Sequence, residues 1–107
     1  MSDLNFTICC TVTFFSKKRR TPPNLNNGKY CPHLVIKGSE LLLGVNFIDG
    51  EDGIFDKPIH ANALPVNEDI DYSALQVGTE FLIMDSGNIV GEGVVKEIFQ
   101  HKLHGEK

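Results

Sequence analysis

The chain has 107 residues, 41% hydrophobic and 22% charged, with a formal net charge of −4; this composition provides for one core and argues against disorder. No apolar run approaches the roughly 20 residues that cross a bilayer as a helix, and Met1-Ser2-Asp3-Leu4-Asn5 lacks the basic and apolar regions of a secretory signal. A cytoplasmic protein without membrane contact is expected. An odd count of three cysteines argues against a disulfide framework and fits a reducing compartment.

Phe6, Ile8, Cys10, Val12 and Phe14 are apolar at every second position, with Thr7, Thr11 and Thr13 between them, the pattern of a half-buried strand. Cys9 and Cys10 are neighbours on it, point to opposite faces and cannot readily pair. Residues 16–31 form a long loop carrying Lys17-Lys18-Arg19-Arg20, then Pro22-Pro23, then Asn24-Leu25-Asn26-Asn27-Gly28. The prolines forbid a strand ladder there and stiffen the loop. Three further strands are expected over 33–37, 41–48 and 59–66, the last two separated by the acidic turn Asp49-Gly50-Glu51-Asp52-Gly53. Residues 67–78 read as polar and irregular, with room for one turn of helix around Tyr72 to Leu75. Strands over 80–85 and 89–99 are joined by Ser86-Gly87-Asn88, a hairpin signal. Gly91 and Gly93 inside the last strand suggest a bulge or bend.

These elements make an all-β chain: one domain over residues 1–99 and a polar tail over 100–107 that is expected to fray. Short strands with turn signals and no long helix point to a small antiparallel barrel or sandwich. Its core should include Phe6, Ile8, Val12, Phe14, Leu34, Ile36, Leu43, Val45, Phe81, Ile83 and Val94.

Charge is distributed unevenly. Lys17 to Arg20 hold the only two arginines and four of the ten basic residues, leaving six basic against fourteen acidic residues elsewhere. Such a loop attracts a phosphate backbone or an acidic protein surface, and the acidic remainder repels the former. The plainer alternative is a solvated loop that keeps its flanking strands soluble.

Little else points to chemistry. Gly28-Lys29 has Pro23 in place of the first glycine of a phosphate-binding loop and Tyr30 in place of its Ser or Thr. Gly91-Glu92-Gly93 lacks a third glycine. The acidic turn lacks the spacing of a calcium loop, and Glu97, His101 and His104 in a fraying tail make a poor metal site. Cys31 and His33 would share a strand face, the placement a nucleophile–base pair uses, with no third residue to orient them. The expectation is a protein that is not an enzyme, with no catalytic residue, metal site or cofactor.

Three segments, taken together and in order, resemble the third, C-terminal domain of elongation factor Tu. Arg19-Arg20-Thr21-Pro22 is similar to that family's basic Arg-His-Thr-Pro loop, with Arg20 for the histidine. Gly28-Lys29-Tyr30-Cys31-Pro32-His33 looks like its aromatic-Gly-Tyr-Arg-Pro-Gln stretch, with Cys31 for the arginine. Gly78, Phe81, Ser86-Gly87 and Val90-Gly91-Glu92-Gly93-Val94-Val95 follow its final hairpin. The resemblance implies a six-stranded antiparallel β-barrel and a surface that grips the acceptor and T stems of aminoacyl-tRNA, with Arg19, Arg20 and Thr21 placed at it. The family's GTPase signatures, Gly-x-x-x-x-Gly-Lys-Ser/Thr and Asn-Lys-x-Asp, are absent from the sequence, so GTP is not an expected ligand. A chain that starts at Met1 and fills one domain reads as a free-standing homologue of the barrel.

Two functions follow. In the first, Lys17, Lys18, Arg19, Arg20 and Thr21 meet an RNA backbone, with tRNA the class the resemblance implies and Tyr30 near enough to stack; binding would be weak and salt-dependent. In the second, the chain binds a protein, either a translation factor or, as a small acidic immunity or antitoxin protein, a basic toxin. Glu51, Asp52, Asp56, Glu68, Asp69 and Asp71 would then be the contact charges.

Overall fold

Strict alternation along the first strand places one side of it in a closed interior. The computed structural model describes residues 6–18, 20–51 and 54–101. It contains β1 (Phe6–Phe14), β2 (His33–Ile36), β3 (Leu43–Gly50), β4 (Ile59–Pro65), β5 (Glu80–Asp85) and β6 (Asn88–Gln100). A 3-10 turn at Ser16–Lys18 is the one helical element among the described residues. The strands close in the order β1-β4-β3-β2-β5-β6, each pair antiparallel. The fold is therefore the expected all-β, six-stranded antiparallel barrel, and closure leaves no unpaired sheet edge.

Inward positions fill the barrel with Ile8, Cys10, Val12 and Phe14 from β1, Val45 and Phe47 from β3, and Phe81 and Ile83 from β5. Two differences from the expected core appear, one of phase and one of depth. Val94 faces outward and Val95 is buried, because β6 carries an extra residue at Lys96: Cys10 pairs with Val95, yet Cys9 pairs with Glu97. Phe6 and Ile36 are only partly buried at the rim. Gly91 and Gly93 lie between two bulges, the second at Val90 opposite the Ile83–Met84 step, and are places of close approach. A Cβ on Gly93 would stand 2.7 Å from Phe81 Cζ and from the Thr11 carbonyl oxygen. A glycine there lets the Phe81 ring reach the barrel centre.

Strand β3 starts and ends two residues later than its apolar run suggests. A bulge at Ile48 carries pairing on to Asp49 with Asn62 and Gly50 with Ala61, while Leu41 and Leu42 remain exposed in the preceding turn. The β5–β6 turn has φ of 55° at Ser86 and 82° at Gly87, both positive as a type I′ hairpin requires. Within 67–78, Leu75 N–H donates to the Tyr72 carbonyl at 2.9 Å, closing a single turn. Tyr72 and Leu75 are both buried. The Tyr72 hydroxyl donates to the Gly44 carbonyl (2.5 Å) and accepts from Asn67 N–H (3.1 Å), so this polar stretch closes one end of the core.

All three cysteines are free thiols. Cys10 is buried with its Sγ 3.5 Å from the Ala61 carbonyl, and burial, with a smaller contribution from Cys9, pushes its pKa up to about 12 from 9.0. In the unfolded chain this thiol ionises near its ordinary value, whereas in the barrel it stays protonated. Its contribution to stability is therefore complete below about pH 9 and is lost as pH rises toward 12. Denaturant melts of the parent should show unfolding free energy falling more steeply between pH 8.5 and 10.5, on the order of one to two pH units of titration, than those of Cys10→Ala. Parallel slopes in the two proteins would remove Cys10 as the cause.

Candidate functional site

Because the strands alternate in direction, the connections 15–32, 51–58 and 86–87 lie at one end of the barrel, and 37–42 and 66–79 at the other. The basic run sits at the first end. Phe15 N–H donates to the Val90 carbonyl (2.9 Å) and Ser16 N–H to Asp56 Oδ1 (3.2 Å), which starts the loop against β6 and the 51–58 connection. Asp56 itself has φ of 63° and donates its N–H to the Phe14 carbonyl at 2.7 Å. The 3-10 turn leaves Lys17 exposed, and Arg20 and Thr21 are exposed beyond it. Lys18 belongs to the turn; Arg19 lies outside the described residues.

After the charges the loop returns to the core. Pro23 is buried, and Leu25 is only 1% exposed. Leu25 lies against the end of β3 so closely that a Cβ on Gly50 would come within 2.7 Å of its Cδ1. Beside it the Asn26 side chain behaves as a strand would: its Nδ2 donates to the Gly50 carbonyl (2.9 Å) and its Oδ1 accepts from Gly50 N–H (3.1 Å). Asn24 Oδ1 and Asn27 Oδ1 accept from Asn26 N–H and Lys29 N–H, two local turns of the kind asparagine favours. The stiffness expected from Pro22-Pro23 is thus reinforced by an apolar anchor and a bidentate amide clasp.

Tyr30 closes the loop. Its ring is partly buried, stacked on Phe47 (centroids 5.9 Å apart, 23° between planes) and edge-on to Phe14 (6.0 Å, 68°). Its carbonyl accepts from Phe47 N–H at 3.0 Å. One face of the ring is therefore already engaged with the core. Two exposed cations outside the expected contact set, Lys29 and Lys57, are at the same end of the barrel.

The acidic residues do not form a single face. Glu51 and Asp56 are in or beside the connection at the basic end, and Glu51 Oε1 already accepts from His60 N–H at 2.7 Å. Glu68, Asp69 and Asp71 are in the 66–79 connection at the far end, where Ser73 N–H and hydroxyl hold the Asp71 carboxyl below its ordinary pKa. Asp52 lies outside the described residues. Asp49, which the sequence assigns to the acidic turn, is in β3, and its Oδ1 is engaged by Asn62 Nδ2 at 2.6 Å. His101 Nε2 is 2.6 Å from Thr7 Oγ1, and His104 lies outside the described residues. Among the described residues no three His, Cys, Asp or Glu side chains converge as metal ligands, and no helix is long and apolar enough to cross a membrane. Cys31 and His33 are both exposed on the outer face, as expected of alternate residues in an extended segment. No protein-family model matches the chain, and comparison with curated proteins gives no significant match.

Proposed function

We propose that this barrel is a non-catalytic binding module that offers its basic end to an RNA backbone, with tRNA the class implied by the resemblance to the third domain of elongation factor Tu. The observation that carries the reading is the tethering of the loop. Lys17 and Arg20 project from a segment fixed by Leu25 and by the Asn26–Gly50 clasp, with Lys29 and Lys57 at the same end. A loop already ordered loses less entropy when it binds. Arginine offers bidentate contacts to phosphate and lysine point charges, so Lys17, Lys18, Arg19, Arg20 and Thr21 are the proposed contact set. Tyr30 has one ring face on Phe47, so in this reading it supports the loop more than it offers a stacking platform to a base. Three free cysteines accord with a cytoplasmic setting.

A protein-neutralising role of the immunity or antitoxin kind draws support from a separate feature: Glu68, Asp69 and Asp71 cluster at the far end, away from the basic loop. Its contact set would be those three residues, not the six acids together.

The test is a double substitution. Arg19→Ala with Arg20→Ala should leave folding intact, since exposed loop charges contribute little to stability. Fluorescence anisotropy with labelled tRNA between 50 and 200 mM salt should show weaker binding and a log–log salt slope shallower by about 1–2. No tRNA binding by the parent at 50 mM salt would sink the RNA reading and leave the acidic end as the candidate surface.

A further inference from the structure

The outside of the barrel is two-sided. On β1 and β4 the outward residues are mostly polar, namely Thr7, Cys9, Thr11, Thr13, His60 and Asn62, with Leu64 the apolar exception. On β2, β5 and the start of β6 they include the apolar Val35, Leu82, Met84 and Ile89. Val35 pairs with Leu82, and next to them His33 pairs with Met84, which pairs with Ile89. Leu34, between Val35 and His33, is wholly buried and belongs to the core; Val35 lies outside the core cluster but is itself buried at 9% exposure, so the open part of the face is Leu42 and Ile89, with Leu82 and Met84 partly exposed. The face is extended by Leu42 and by Val66, whose N–H donates to the Gly44 carbonyl; Leu42, Val66 and Ile89 are all exposed. A patch of this kind on a barrel that has no open edge marks an interaction surface.

Charge on its border selects the occupant. Leu82 pairs with Glu92, which opens onto a shallow groove of about 350 Å³ lined by Thr11, Thr13, Lys37, Glu80 and Glu92 among others. Lys37 Nζ is 3.1 Å from Glu80 Oε1 and 3.6 Å from Glu92 Oε1. Its charge is spent on two carboxylates, so the groove remains net negative and its threonine hydroxyls can accept further hydrogen bonds. Glu40 adds a third carboxylate in the turn before Leu41 and Leu42. Phosphate backbones and anionic lipid are repelled from such a border, whereas a cation beside apolar side chains fits it.

We infer that the Leu42–Val35–Leu82–Met84–Ile89 face docks a protein segment whose apolar side chains cover the face while a lysine or arginine enters the Glu80–Glu92 groove. This surface runs along the side of the barrel and uses none of the basic-loop residues, so it stands whether or not the basic end binds RNA. Two synthetic 12-residue peptides with the same three leucines, one with three lysines and one with three glutamates, test it by ¹H–¹⁵N titration of the full chain. The lysine peptide should shift resonances of Val35, Leu82, Met84 and Glu92 and bind at least about tenfold more tightly than the glutamate peptide, the scale of a single charge pair at a protein interface. Glu80→Gln with Glu92→Gln should abolish that preference, and Leu42→Ser with Ile89→Ser should weaken the lysine peptide by a similar factor. All four positions are on the surface, and retained amide dispersion checks that the variants fold. Equal binding of the two peptides, binding of neither, or shifts confined to residues 66–71 would each overturn the inference. So would a concentration-dependent dimer in light scattering that the Leu42→Ser, Ile89→Ser variant abolishes, since the occupant would then be a second copy of this chain.

Discussion

Phe47→Ala is expected to lower the unfolding free energy by about 3–5 kcal/mol, a large part of the roughly 5–15 kcal/mol that holds a domain of this size together. Phe47 has no exposed surface and is the base of a three-ring column that runs through Tyr30 to Phe14. Truncation leaves a cavity beneath Tyr30 that the neighbours cannot easily fill, because the Tyr30 carbonyl is fixed by the Phe47 backbone N–H and Phe14 by its pairing with Gly91. The result should appear in urea denaturation followed by circular dichroism as a lower midpoint with an unchanged slope. Phe99→Ala is the control: that ring is 50% exposed, and its loss should be worth no more than about 0.5 kcal/mol. If the two substitutions cost the same, the ring column contributes nothing special to the core.

The strands were legible because period-two alternation survives wherever pairing is regular, as along Phe6–Phe14. It fails where a bulge changes phase. The extra residue at Lys96 exchanges the roles of Val94 and Val95, and the bulge at Ile48 moves the end of β3 past the apolar run. Single apolar residues in polar connections carry no period at all, so Leu25, Tyr72 and Leu75 gave no signal of burial. The basic loop was legible as a concentration of charge. Its clasp was not, since Asn26 and Gly50 are 24 residues apart and each reads in sequence as part of its own local turn. The acids between residues 49 and 71 looked like one group for a similar reason. β4 lies among them, and its 7 residues carry the chain about 20 Å from one end of the barrel to the other.

Leu25→Ala should separate anchoring from charge at the proposed RNA-binding end. Leu25 is buried against Gly50, and a buried leucine truncated to alanine costs about 2–5 kcal/mol of stability. The substitution removes no charge, so the number of phosphates neutralised, and with it the slope of log affinity against log salt, should not change. What changes is order in the free protein. With the anchor gone, the segment from Lys17 to Asn26 must be fixed on binding at a cost of about 1–2 kcal/mol for each residue that becomes mobile. Affinity for tRNA should therefore fall by at least about tenfold at every salt concentration, since ordering even one such residue is worth about the 1.4 kcal/mol that a factor of ten requires. Arg19→Ala with Arg20→Ala should instead flatten the salt dependence at nearly unchanged stability, so the two variants predict different shapes, not only different magnitudes. The comparison must be made well below the lowered melting temperature, with the folded fraction checked by circular dichroism. Unchanged affinity in folded Leu25→Ala would mean that the loop binds equally well when released, and that its tethering serves the barrel and not the ligand.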